Sequence, residues 1–130
     1  MRIITRLSLL ALLLLLLAAC GGSDNGADAP AAMPTSVGDA AAGAMLFQQS
    51  CASCHGPAAK GIEGLGKDMT TSVFIHDLND EELLAFVKTG RPTSDPANTT
   101  GVDMPPKGGN PALSDDQILD IIAYIRTLQQ

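Results

Sequence analysis

The 130-residue chain contains no tryptophan, one tyrosine and three phenylalanines. A small domain with so few large side chains has little from which to build a core, and domains of this size commonly depend on a cofactor or cross-links. Cysteine is scarce too: Cys20, Cys51 and Cys54 are an odd number that cannot all pair. Histidine is limited to His55 and His76. No second C-x-x-C and no H-x₃-H completes a closed structural zinc site, which needs about four ligands. Basic side chains number 8 against 14 acidic ones, giving a formal charge of −6. That balance argues against nucleic acid as a partner. No internal repeat, heptad pattern or convincing strand is present. The acidic pairs (Asp80 to Glu82, Asp115 and Asp116) fall at helix starts, where negative charge is favourable. No constellation of base and nucleophile remains, so the chain is not expected to be an enzyme.

What is abundant is leucine near the start. Arg2 and Arg6 precede an unbroken apolar run from Leu7 to Ala19. The run is shorter than the roughly 17–20 residues that span a bilayer. A charged start, an apolar middle and small residues at the end predict a secretory signal over 1–19, with an uncleaved anchor as the alternative. "LAAC", Leu17 to Cys20, resembles the lipobox of bacterial lipoproteins. The resemblance implies cleavage before Cys20 and lipid on its sulfur, which also accounts for the odd cysteine. The protein is then expected to be exported and lipid-anchored to a bacterial membrane, facing the periplasm or the cell exterior. Residues 20–37 are small, polar and interrupted by Pro30 and Pro34. They read as a flexible tether with a reach of about 23 Å.

Residues 38–130 read as one all-α domain. Asp39 is placed to cap "AAAGAMLFQQSC", with Gly43, Leu46, Phe47 and Cys51 on or near one face. Met45 is expected in the core. Gly43 inside a helix costs about 1 kcal/mol relative to Ala, so a close approach by another backbone or a ring is expected there. A second helix begins at Asn79, with Glu82 in the capping-box position, Gly90 beyond its end and Pro92 as a stop. In the third, Ser114 and Gln117 form the box, and Ile118, Ile121, Ile122, Ile125 and Leu128 follow helical spacing. "TTSVFIHDL" is compatible with a short helix or an extended segment. Residues 91–113, rich in proline and glycine, form a long irregular loop, and such loops are usually functional or disordered.

The chemistry sits in "CASCH", residues 51 to 55. A thioredoxin-like dithiol expects a βαβ context, which is missing. Zinc would find three ligands at most. The remaining reading is c-type haem attachment, C-x-x-C-H. Cys51 and Cys54 would add to the two vinyl groups of one haem, and His55 would bind its iron. For the sixth position, Met104 stands in the long loop, where Pro105 favours an extended backbone and Pro106 stiffens the exit. Met69 and His76 are rivals. A large covalently held ring would also supply the missing core.

These residues together resemble the class I c-type cytochromes. The likeness covers about Gly38 to Gln130, through "GDAAAGAMLFQQSCASCHG", "MPP" and "LSDDQILDIIAYIRTL". It implies a small all-α fold of three main helices with long loops around one covalent haem. It also implies that Gly43 and Phe47 on the first helix meet Tyr124 on the last. His55 and Met104 would be the axial ligands, with the His55 ring oriented by a backbone carbonyl near Leu65 to Lys67, where Lys67 replaces the proline often found in the family. The implied function is one-electron transfer between membrane or periplasmic redox proteins in a respiratory-type chain. The alternatives are a gas-binding or catalytic haem with an open distal side, and a fixed haem subunit of a larger membrane complex. Arg91 is either a partner for a haem propionate or a solvated arginine after a helix end.

Overall fold

A computed structural model describes residues 38–130; the leader, Cys20 and the tether expected over 1–37 lie outside the described residues. Five α-helices follow in order: α1 (Ala40–Ser50), α2 (Ala52–His55), α3 (Val73–Asp77), α4 (Asp80–Thr89) and α5 (Asp115–Leu128), with a single 3₁₀ turn at Pro106–Gly109. Among the described residues there is no strand beyond two isolated bridges, Ile62 with Gly66 and Arg91 with Met104. The all-α expectation and its three main helices therefore hold. "TTSVFIHDL" resolves into α3, whose start is capped by the Ser72 hydroxyl accepting from the Ile75 N–H.

Local chemistry sets the helix starts. The Asp39 carboxylate accepts from the N–H groups of Ala41 (2.8 Å) and Ala42 (3.2 Å). Reciprocal capping boxes form at Asn79/Glu82 and Ser114/Gln117. Each satisfies two amide groups that have no partner inside the helix.

The core is the crossing of α1 and α5. A Cβ at Gly43 would lie 1.9 Å from the Asp120 carbonyl oxygen, so only glycine lets the two backbones touch. Asp120 also accepts from the Asp39 N–H at 2.7 Å, pinning the start of α1 to α5. Phe47 is fully buried and meets Tyr124 at 5.5 Å between ring centroids, tilted by 59°. Ile118, Ile121, Ile122 and Ile125 fill the seam, joined by Leu83 from α4 and by Met69 and Leu113 from the loops. Each such side chain contributes about 1.5–3 kcal/mol on burial. Met45 corrects one expectation: it is 64% exposed. It lies two residues from Gly43, about 200° around the helix and away from the crossing.

Arg126, near the end of α5, closes the other side. Its guanidinium donates to Asp80 Oδ1 (3.0 Å), to the Ile75 carbonyl (2.7 Å) and to the Leu78 carbonyl. One planar fork thus ties α5 to the junction of α3 and α4. The chain end is also held: the Gln129 side chain donates to the Met69 carbonyl, and the Gln130 N–H to the Thr70 carbonyl.

Candidate functional site

"CASCH" begins where α1 ends. Cys51 caps α1 by donating its N–H to the Phe47 carbonyl, and its own carbonyl accepts from Cys54 (3.2 Å) and His55 (3.0 Å). The turn places Cys51, Cys54 and His55 together, each partly buried. No disulfide joins the two cysteines. Burial, and then the neighbouring Cys54, push the Cys51 thiol up to about 11. Among the described residues no three His, Cys, Asp or Glu side chains converge to hold a metal ion.

His55 is aimed by the following loop. Its Nδ1–H donates to the Lys67 carbonyl at 2.9 Å, one of the three carbonyls expected for this role. With the proton on Nδ1, the Nε2 lone pair is free to bind a metal. The loop is itself braced. The His55 carbonyl accepts from Gly61, Ile62 and Gly66 bond to each other, and Met69 N–H donates to the Ala59 carbonyl. Gly66 packs flush on the attachment turn, where a Cβ would fall 2.3 Å from the Cys54 carbonyl oxygen.

Met104 comes from the long loop, here called the strap. Met104 and Arg91 exchange two backbone hydrogen bonds of 2.8 and 2.9 Å. Beyond Met104 the chain turns back over the attachment segment. Lys107 and Gly108 take positive φ, and Gly108 sits so close to Ser50 that a Cβ would lie 2.8 Å from its carbonyl and 3.8 Å from Cys51 Sγ. Asn110 Nδ2 donates to the Ser50 hydroxyl at 3.3 Å. The strap's exit is thereby fastened to the residue next to Cys51. Of the rival ligands, Met69 is buried in the core cluster, and His76 is exposed beside Asp77.

Arg91 is not the solvated arginine of the second expectation. Its guanidinium lies over the rings of Phe74 (4.6 Å) and Phe86 (4.8 Å) and donates to Asp95 at 3.2 Å. Its side chain is 21% exposed, not solvated. Sequence reasoning missed this stack, which joins α3, α4 and the start of the strap. A surface depression of about 390 Å³ separates the loop of Lys60, Glu63 and Lys67 from Thr99 and Thr100 of the strap.

The donor set fits a c-type haem: two cysteine sulfurs on one turn, an imidazole with a free Nε2, and a thioether on a strap fastened back to the same turn. Residues 38–125 match the family model described as "Cytochrome C oxidase, cbb3-type, subunit III". The chain is similar to the cbb3-type cytochrome c oxidase subunit CcoP of Rhodobacter capsulatus, 31% identical over 90 residues, which is 68% of this chain and 29% of that protein. It is also similar to cytochrome c-555 of Prosthecochloris aestuarii, 33% identical over 87 residues, 67% of this chain and 85% of the relative. A second cytochrome c-555, from Chlorobaculum thiosulfatiphilum, is 32% identical over 87 residues, 67% of this chain and 93% of the relative. The chain thus spans about three-tenths of the length of the CcoP relatives but most of the length of the c-555 ones. No solved structure matches it significantly.

Proposed function

The chain belongs to the c-type cytochromes of the cbb3 oxidase subunit III family, and from that membership we propose a one-electron carrier with His55 and Met104 as the axial ligands of its iron. The cofactor is one covalently bound c-type haem, which when bound stores and releases a single electron at its iron. The chain's own residues do the rest. Cys51 and Cys54 hold the ring through thioethers. His55 would offer Nε2 because the Lys67 carbonyl accepts a hydrogen bond from its Nδ1–H and keeps the proton on that nitrogen. Met104 offers a soft thioether, which favours ferrous iron and raises the potential relative to two nitrogen ligands. With His55 and Met104 both available as ligands, the chain would hold the iron in either oxidation state without exchanging a ligand. No catalytic role is proposed.

The single observation that carries this reading is the His55–Lys67 hydrogen bond of 2.9 Å, because it sets the tautomer an iron ligand needs. The test is spectroscopic. Met104→Ala should abolish the weak far-red sulfur-to-ferric-iron band and lower the midpoint potential. Met69→Ala and His76→Ala should leave the band in place. A band that survives Met104→Ala would refute the assignment.

Redox proteins in a respiratory-type chain are the proposed partners, and the acidic surface suits a basic docking patch. Lipid on Cys20 would hold the carrier at a bacterial membrane, on its periplasmic or outer side. Mass spectrometry of the native N-terminus tests that anchor, and an unmodified Cys20 would remove it. Among the described residues no helix is long and apolar enough to cross a membrane. The similarity to subunit CcoP favours a second reading, a haem subunit fixed to a larger oxidoreductase. Turnover that is insensitive to salt, with the protein co-purifying in a complex, would favour it over a shuttle.

A further inference from the structure

The strap that carries Met104 has a frame of its own. Its ends are zipped by the Arg91–Met104 backbone pair, and the Thr93 N–H donates to the Asp103 carboxylate. None of residues 91–104 is buried, so no apolar packing inside the loop fixes its shape. The Asn98 side chain braces it from within. Asn98 Nδ2 donates to the carbonyls of Val102 (2.8 Å) and Arg91 (3.4 Å). Its Oδ1 accepts from the Thr100 N–H (3.2 Å), the Thr100 hydroxyl (3.2 Å) and the Gly101 N–H (3.1 Å). Its own N–H donates to the Asp95 carbonyl at 2.8 Å. The Arg91 carbonyl that receives Asn98 also receives the Met104 N–H. The carboxamide therefore connects the turn at Thr100–Gly101 to the rung that presents Met104.

We propose that Asn98 is a positioning residue for Met104, its carboxamide setting the geometry of the strap that holds the thioether in place. The inference rests on the reading that Met104 binds the iron. The chemistry asks for an amide. Aspartate keeps the acceptor side but has no donor, and it sets a carboxylate against two carbonyl oxygens. Alanine keeps neither. Loss of the frame should leave the helices and the attachment turn in place and free the strap to release its ligand.

The experiment compares the purified holoprotein with Asn98→Ala and Asn98→Asp. The far-red band is followed against temperature beside far-UV circular dichroism, and carbon monoxide uptake by the ferrous protein is measured. Both variants should lose the band at a lower temperature than wild type, with little change in the helical transition. Their carbon monoxide uptake should rise roughly tenfold, the order expected for losing a net hydrogen bond or two. Full rescue by Asn98→Asp would confine the residue to the turn and overturn the proposal. So would a band and an uptake rate unchanged in Asn98→Ala. A wild-type protein that lacks the band and takes up carbon monoxide readily would instead bring down the Met104 assignment itself.

Discussion

Where α1 crosses α5, backbone meets backbone. Gly43 lies against Asp120, Phe47 is fully buried, and isoleucines from α5 fill the seam. Along the strap from Arg91 to Met104 the means are reversed. No residue is buried there, and shape comes from backbone rungs, the Asn98 carboxamide and the Arg91 stack on Phe74 and Phe86. Packing is insensitive to small displacements of water, while a frame of partly exposed hydrogen bonds opens locally at low free-energy cost. The difference teaches where the site is firm and where it yields. His55 ends α2 and is aimed by a braced loop, so it belongs to the firm side. Met104 belongs to the yielding side, and its hold depends on the strap.

The sharpest way to break this contrast is to remove the two cysteines expected to hold the haem. Cys51→Ala with Cys54→Ala prevents covalent attachment. With one tyrosine, three phenylalanines and no tryptophan in the chain, the crossing alone is not expected to sustain the domain. Circular dichroism should show most of the native helicity and the cooperative transition gone. Native-like helicity would show that the crossing is self-sufficient.

A milder blow falls on the crossing by itself. Gly43→Ala places a methyl group where the Asp120 carbonyl stands, 1.9 Å away at the ideal position. Alanine gains about 1 kcal/mol of helix propensity, but separating two packed backbones costs about 1–3 kcal/mol or more. Net destabilisation of up to about 2 kcal/mol or more is expected, read as a lower midpoint in denaturant with the far-red band retained. Loss of the band ahead of unfolding would mean that the two regions are coupled more tightly than the contacts imply.

The crossing was readable in the sequence because its signals are local and periodic. Asp39, the boxes at Asn79/Glu82 and Ser114/Gln117, and the isoleucine spacing of α5 each depend on neighbours within a turn or two. Phe47 and Tyr124 came through the family likeness and meet as it implied, while Gly43 meets the Asp120 backbone. The attachment turn was legible for the same local reason, and the Lys67 carbonyl fell within the bracketed stretch. Met45 was misjudged because apolar character was read without its position on the helix. The strap was seen only as a loop. Asn98, Thr100 and Asp103 are ordinary turn residues, and nothing in their spacing shows that one carboxamide gathers five contacts. Arg91 reached Phe74 and Phe86 through folding of segments up to 17 residues apart, which no local pattern encodes.

The smallest expected effect lies outside both regions, at the turn that receives the chain end. The Thr70 hydroxyl and the Thr70 N–H, each 2.7 Å from Asp68 Oδ1, hold that carboxylate below its usual 3.8. A depressed carboxylate adds stability above its unfolded value and loses it as pH falls through the lower folded value. The turn should therefore weaken only below about pH 3.8. An NMR titration should find the Asp68 midpoint low and raised in Thr70→Val. An identical midpoint in that variant would remove the hydroxyl from the explanation.

The central claim is that His55 and Met104 together close the iron's coordination in an electron carrier. Absorption spectra of the purified holoprotein, oxidised and reduced, with and without carbon monoxide, test it most directly. The account predicts low-spin spectra in both states, a far-red band in the oxidised protein and a reduced spectrum that carbon monoxide barely changes. A high-spin protein that binds carbon monoxide readily would contradict it and point to an open distal side.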